Sequence, residues 1–137
     1  MAPVDLELAD LTNADLSRAQ LLEANLRSAN IREAVLVGAD LRRAKLQEAN
    51  LLNANLQGAN LRSADLRGAN LQGANLRDAI LQSAKLQKAD LVQANLAGAR
   101  LIKARMQETD LYKVDLHNAD LRGADLRNSV GLTAKSL

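Results

Sequence analysis

The sequence contains no cysteine, phenylalanine or tryptophan, and its 137 residues include one tyrosine, one histidine, one proline and two methionines. Each absence excludes something. Without cysteine there are no disulfides and no thiolate metal site. With His117 as the sole histidine, no multi-histidine metal centre can form. Globular domains use aromatic rings to bury large areas in their cores. Here 47% of residues are hydrophobic and nearly all of those are alanine and leucine, so the apolar surface must be buried in a repetitive, size-uniform way. No apolar run approaches the roughly 20 residues that a membrane-spanning helix needs. The start of the chain, Met1 to Glu7, has no basic segment followed by an apolar stretch, so no secretory signal is read there. The expected location is cytoplasmic, with no membrane partner. The formal charge is +2, from 18 basic and 16 acidic side chains. That balance is far from the basic excess of a dedicated nucleic-acid binder, and equally far from the acidity of a polyanion mimic.

What is present is a period of five. From Leu6 to Leu126 every fifth residue is leucine except Ile31 and Met106. Two residues before each lies an alanine, except at Val4, Thr109 and Val114. Between the two sits mostly aspartate or asparagine, as at Asp65, Asn70 and Asn75, and two variable, mostly polar residues follow. On an α-helix a step of five rotates about 140° net, which scatters the leucines over every side. On a flat strand an odd step puts successive leucines on opposite faces. Within one unit, alanine and leucine are two apart and point the same way. A chain that turns in one sense once per unit therefore brings every alanine and leucine to a common axis. The glycines at 38, 58, 68, 73, 98 and 123 all occupy the second position after the central residue, where a turn is expected.

Periodicity leaves the number of sides open. The tandem Ala-(Asp/Asn)-Leu-x-x pattern, clear from Ala54 to Leu66, resembles the pentapeptide-repeat family. The resemblance implies an all-β, right-handed quadrilateral β-helix with four units per coil. It gives about six coils, stacked at roughly 4.8 Å into a rod about 30 Å long. The expected organisation is an N-terminal lead-in at 1–3, a repeat body at 4–128 and a C-terminal tail or cap at 129–137. Leu46, Leu66, Leu86, Ala64 and Ala84 are expected in the structural core. The tail is expected over the last coil, and Pro3, which cannot donate a hydrogen bond, at the opposite edge. Bare strand edges suggest end-to-end self-association, or a rod cut or engineered to minimal length.

Departures from so regular a rule carry the functional signal. Met106, Thr109, Val114, Arg100 and Arg105 break the pattern together. Four-unit stacking would place Val92 beside Tyr112, with His117 on the next side. These three are one candidate interaction surface, because an exposed tyrosine can anchor an interface. A mid-rod belt including Arg42, Arg62 and Arg67 is the other, suited to an anionic partner.

Catalysis is not expected. The interior is filled by leucine and alanine, no concave site with convergent groups is visible, and no phosphate-binding glycine motif occurs. No cofactor is expected. The leading expectation is a protein-interaction module or scaffold whose partner is another protein, which the family resemblance also implies. The resemblance carries a second reading, since some members mimic B-form DNA and bind DNA gyrase. A third is polyanion binding through the arginine belt, with nucleic acid disfavoured because there are no aromatics for base stacking.

Overall fold

The fold is a computed structural model that describes residues 2–137. Its unit is a turn. In each pentad the carbonyl of the central residue accepts a hydrogen bond from the N–H three residues on, as from Ala64 to Leu61 at 3.0 Å. The third residue of every such turn has positive φ, the signature of a type II turn. Six of these positions are the glycines noted above. The others are occupied by Asn, Ser, Glu, Lys, Arg, Asp, Gln and Leu at φ between +53° and +62°. Left-handed backbone costs such residues about 1 kcal/mol each, yet the chain adopts it at every turn. The cost is offset by the leucine and alanine buried per turn and by the ladder between coils.

The ladder fixes the circuit at 20 residues. Parallel bridges run from Asp5 to Asn25, from Asn25 to Lys45, and onward to the pairing of Asp110 with Val130. Four turns therefore close one circuit. Each interior unit contributes three inter-coil hydrogen bonds: Asp65 donates to the Ala44 carbonyl (2.9 Å), Leu66 to Lys85 (2.7 Å) and Gly68 to Gln87 (3.0 Å). Among the described residues there is no α-helix, and no helix is long and apolar enough to cross a membrane.

The core is a continuous column. Leu46, Leu66, Leu86, Ala64 and Ala84 are buried, as is the whole leucine–alanine set from Leu21 to Leu111. Thr109 is buried too. Its hydroxyl donates to the Met106 carbonyl (2.9 Å), and the turn it closes is stretched to 3.4 Å. At Thr109 the bulkier side chain is accommodated by loosening the corner, whereas Val114, also buried, closes its turn at 3.1 Å.

The two ends differ. Leu6, Leu11 and Leu16 are only half-buried, because among the described residues no coil stacks on the first circuit. At the other end the segment 129–137 follows the edge of residues 110–116. Val130 bridges Asp110, and the Leu116 N–H donates to the Ser136 carbonyl at 2.7 Å. A short 3-10 turn at Ala134–Ser136 finishes the chain, with Ser136 buried. The tail lies against two of the four sides, and Leu121 and Leu126 on the other two stay half-buried.

Candidate functional site

The outward side chains are positioned by one local device. Every Asp or Asn at the position before the central residue accepts a hydrogen bond from the N–H two residues on, as Asp65 Oδ1 does from Arg67 at 3.2 Å and Asn70 Oδ1 from Gln72 at 3.0 Å. That N–H has no partner in the ladder, so the Asx turn satisfies it and sets the direction of the first variable side chain.

Where that capping residue is aspartate and the residue two on is arginine, the two also form a fork. Arg42 donates from Nε to Asp40 Oδ1 (2.8 Å) and from Nη2 to Oδ2 (2.7 Å). Arg67 does the same with Asp65, at 2.8 and 2.6 Å. Arg122 with Asp120 and Arg127 with Asp125 repeat the geometry. The guanidinium hydrogen bonds hold Asp40, Asp120 and Asp125 below the usual carboxylate range. At Asp65 partial burial pushes the other way and is outweighed by the bonds from Arg67. Arg62 follows Asn60 instead. Asn60 caps the Arg62 N–H (3.2 Å) but brings no charge, and Arg62 has no carboxylate partner among the described residues.

The expected arginine belt is therefore divided. Arg42 and Arg62 stack 20 residues apart on one side, Arg67 lies around the corner, and only Arg62 of the three keeps its charge unpaired. The spacing of two between Asp and Arg, visible in Asp40-Leu41-Arg42, was the sequence signal for this difference.

Val92 and Tyr112 share a column, as the 20-residue circuit requires, and the column continues to Leu132. Tyr112 is 55% exposed, and Val130, two residues from the column, is 58% exposed. Lys113 Nζ lies 5.5 Å from the Tyr112 ring centroid, within cation–π range. His117 stands one turn on, its Nδ1 2.6 Å from Asp115 Oδ1. Hydrogen bonds from the His117 backbone N–H and ring hold the Asp115 carboxyl below its ordinary value. Tyr112 and His117 both line a shallow groove of about 350 Å³ beside the tail, with Gly131 and Lys135 on its rim. The structure adds Val130, Leu132 and Leu137, all exposed, to this end of the rod. Residues 130 and 132 stand 20 beyond 110 and 112, which was the available clue. It was hidden because the Ala–Leu pattern stops at Leu126.

No cluster of His, Cys, Asp or Glu among the described residues could hold a metal ion.

The comparisons with known proteins agree with this architecture. Pentapeptide repeats, in eight copies, are matched over residues 4–27, 24–62, 59–96 and 89–128. A pentapeptide repeat protein of known structure, Rfr23 from the cyanobacterium Cyanothece 51142, is 39% identical with a TM-score of 0.66. The match covers 68% of this chain and 64% of that one, so this chain spans under two thirds of that relative's length. HetL, a pentapeptide repeat protein involved in heterocyst differentiation regulation in Nostoc sp. strain PCC 7120, is 34% identical with a TM-score of 0.59. That match covers 93% of this chain and 72% of HetL. No curated protein sequence matches the chain. With its repeats matched across most of its length, the chain belongs to the pentapeptide-repeat family.

Proposed function

We propose that this protein is a non-enzymatic protein-interaction module of the cytoplasm, a right-handed quadrilateral rod of about six coils in which residues 4–128 form the repeat body. The C-terminal end is its docking surface. One observation carries the reading: Tyr112, Val130, Leu132 and Leu137 are all exposed within the last circuit, whereas exposed large apolar residues elsewhere are Val4, Leu8 and Leu22 at the other end. Exposed apolar side chains gathered at one end, with Tyr112 in a groove beside Lys113, His117 and Lys135, favour a protein interface over a merely solvated side. The filled leucine axis leaves no enclosed site for a substrate. A net charge of +2 and a phenylalanine-free axis argue against the DNA-mimic reading.

The test is retention of a protein from native lysate by immobilised rod, with Tyr112→Glu as the paired bait. A protein held by the wild type and lost with Tyr112→Glu supports the docking surface. Equal recovery on both baits, or none under several conditions, overturns it.

A further inference from the structure

Charge that nearly cancels along the sequence is divided around the rod. Residues 20 apart share a side, so the side built on Leu41, Leu61 and Leu101 carries Arg42, Arg43, Arg62, Arg100, Lys103 and Arg122 against Glu23, Asp40 and Asp120. The opposite side, two turns on, carries Arg32 and Lys113 against Asp10, Glu33, Asp90 and Asp110. On the basic side a groove of about 460 Å³ is lined by Leu22, Arg42, Arg43, Asn60, Arg62 and Ser63. Of its cations, Arg62 lacks a carboxylate, and Arg43 is held only by a long, solvent-exposed contact with Glu23 at 3.4 Å. Such a pair contributes little. Arg42 and Arg62 stand one coil apart, near 4.8 Å between backbones, and Asp40 neutralises only the first. Leu22 is 45% exposed at the groove's end.

We propose that this groove binds an acidic, leucine-bearing segment of a partner protein. One carboxylate is held between the Arg62 and Arg43 guanidiniums with Ser63 as a hydroxyl donor, and an apolar neighbour packs on Leu22. A guanidinium with no internal carboxylate offers the planar fork that a carboxylate fits in two-point fashion. The same surface favours such a peptide over a nucleic-acid strand. Phosphates recur without a break along a strand, and a strand laid on this side would meet Glu23 and the internally paired Arg42 and Arg122, which offer it no free cation, whereas the carboxylates of a peptide can be spaced to use Arg62. The surface is separate from the Tyr112 end and goes beyond the docking role given to it.

The experiment is fluorescence anisotropy of a labelled peptide of alternating glutamate and leucine against the full chain at low salt, with a single-stranded oligonucleotide of equal charge in parallel. Peptide binding should weaken roughly tenfold or more in Arg62→Gln, the loss expected of a charge-assisted hydrogen bond. Two isosteric exchanges separate the charge of the arginine from its presence. Asn60→Asp gives Arg62 the same internal fork that occupies Arg42, and should weaken the peptide although the arginine remains. Asp40→Asn releases Arg42 and should tighten it. Arg32→Gln on the opposite side and Tyr112→Glu should leave it unchanged, so loss here and loss at the docking end are read independently. Circular dichroism confirms that each variant keeps the fold, and Arg62→Gln with Asp40→Asn decide the matter if Asn60→Asp does not. No peptide binding at low salt overturns the proposal. So does an Arg62→Gln affinity equal to wild type, or an oligonucleotide bound as tightly as the peptide.

Discussion

A methyl group is the side chain that fills the inner corner throughout mid-rod. Ala64 and Ala84 are fully buried between leucine turns, and at Thr109 the same corner opens from about 3.0 Å to 3.4 Å. In mid-rod, where coils press from both sides, Ala64→Leu should overpack and cost about 1–3 kcal/mol. Thermal denaturation measures it, and an unchanged melting temperature would contradict the packing described. Turn residues behave differently. At Gly58 a Cβ would meet nothing within 4 Å, so Gly58→Ala should cost only the left-handed backbone strain of about 1–2 kcal/mol that other residue types bear at the same turn position. At Gly131 a Cβ would lie 2.5 Å from the Tyr112 backbone nitrogen, with φ at +91°. Gly131→Ala should therefore push the tail off the last circuit, seen as faster proteolysis of residues 129–137 while the repeat body stays intact. Glycine at the turn was legible in the sequence. That Lys88 and Arg43 take the same left-handed backbone was not, because propensity disfavours it and only the stacked coils impose it.

At the scale of one coil, the Asp/Asn preference has two causes. The side chain caps a free N–H, and it stacks on its counterpart 20 residues away. Asn70 shows both, capping Gln72 at 3.0 Å and donating from Nδ2 to Asn50 Oδ1 at 3.4 Å. Asn70→Ala should cost about 1 kcal/mol, the net worth of one such hydrogen bond. Chemical denaturation checks this, with an effect under a few tenths counting against it. The ladder also places some opposite charges at this position across from one another, although Lys85 with Arg105 and Asp90 with Asp110 are like-charged neighbours. Asp65 is bridged to Lys45 on one side and Lys85 on the other, and Asp120 and Asp125 are bridged to Arg100 and Arg105. Opposite charges directly across a ladder are favourable and help fix register. In the sequence Arg100 and Arg105 read as breaks in the pattern, because the aspartates they meet, Asp120 and Asp125, stand 20 residues away and no local motif joins them.

For the whole rod, stability is a sum over neighbouring coils. Amides between Leu46 and Leu96 should exchange with solvent most slowly, and those of the first circuit, whose leucines are half-buried, most quickly. Hydrogen-exchange mass spectrometry should show protection falling toward both ends; a flat profile would sink this picture. Acid should loosen the whole molecule. Hydrogen bonds from Thr12, Ser17, Arg42, Arg122 and Arg127 hold Asp10, Asp15, Asp40, Asp120 and Asp125 below the ordinary aspartate value of 3.8. The folded chain binds protons at these sites less readily than the unfolded chain does. The stabilisation they supply is present above pH 4 and is lost as pH falls through the lowered values. The melting temperature should be level from neutrality to about pH 4 and decline below it; a rise on acidification would reverse the sign.

The sequence by itself determined the coil. A leucine every fifth residue, with alanine two before it, admits neither a helix nor a flat strand, so the axis and its filling follow from side-chain direction alone. Which outward residues meet was decided only by the tertiary structure. The 20-residue circuit brings position 112 to 132 and position 42 to 62, and makes Asp65 the neighbour of Lys85. The physical reason is that side-chain direction repeats with the local unit, whereas contact between coils depends on how many turns close a circuit. No residue within a single pentad records that number.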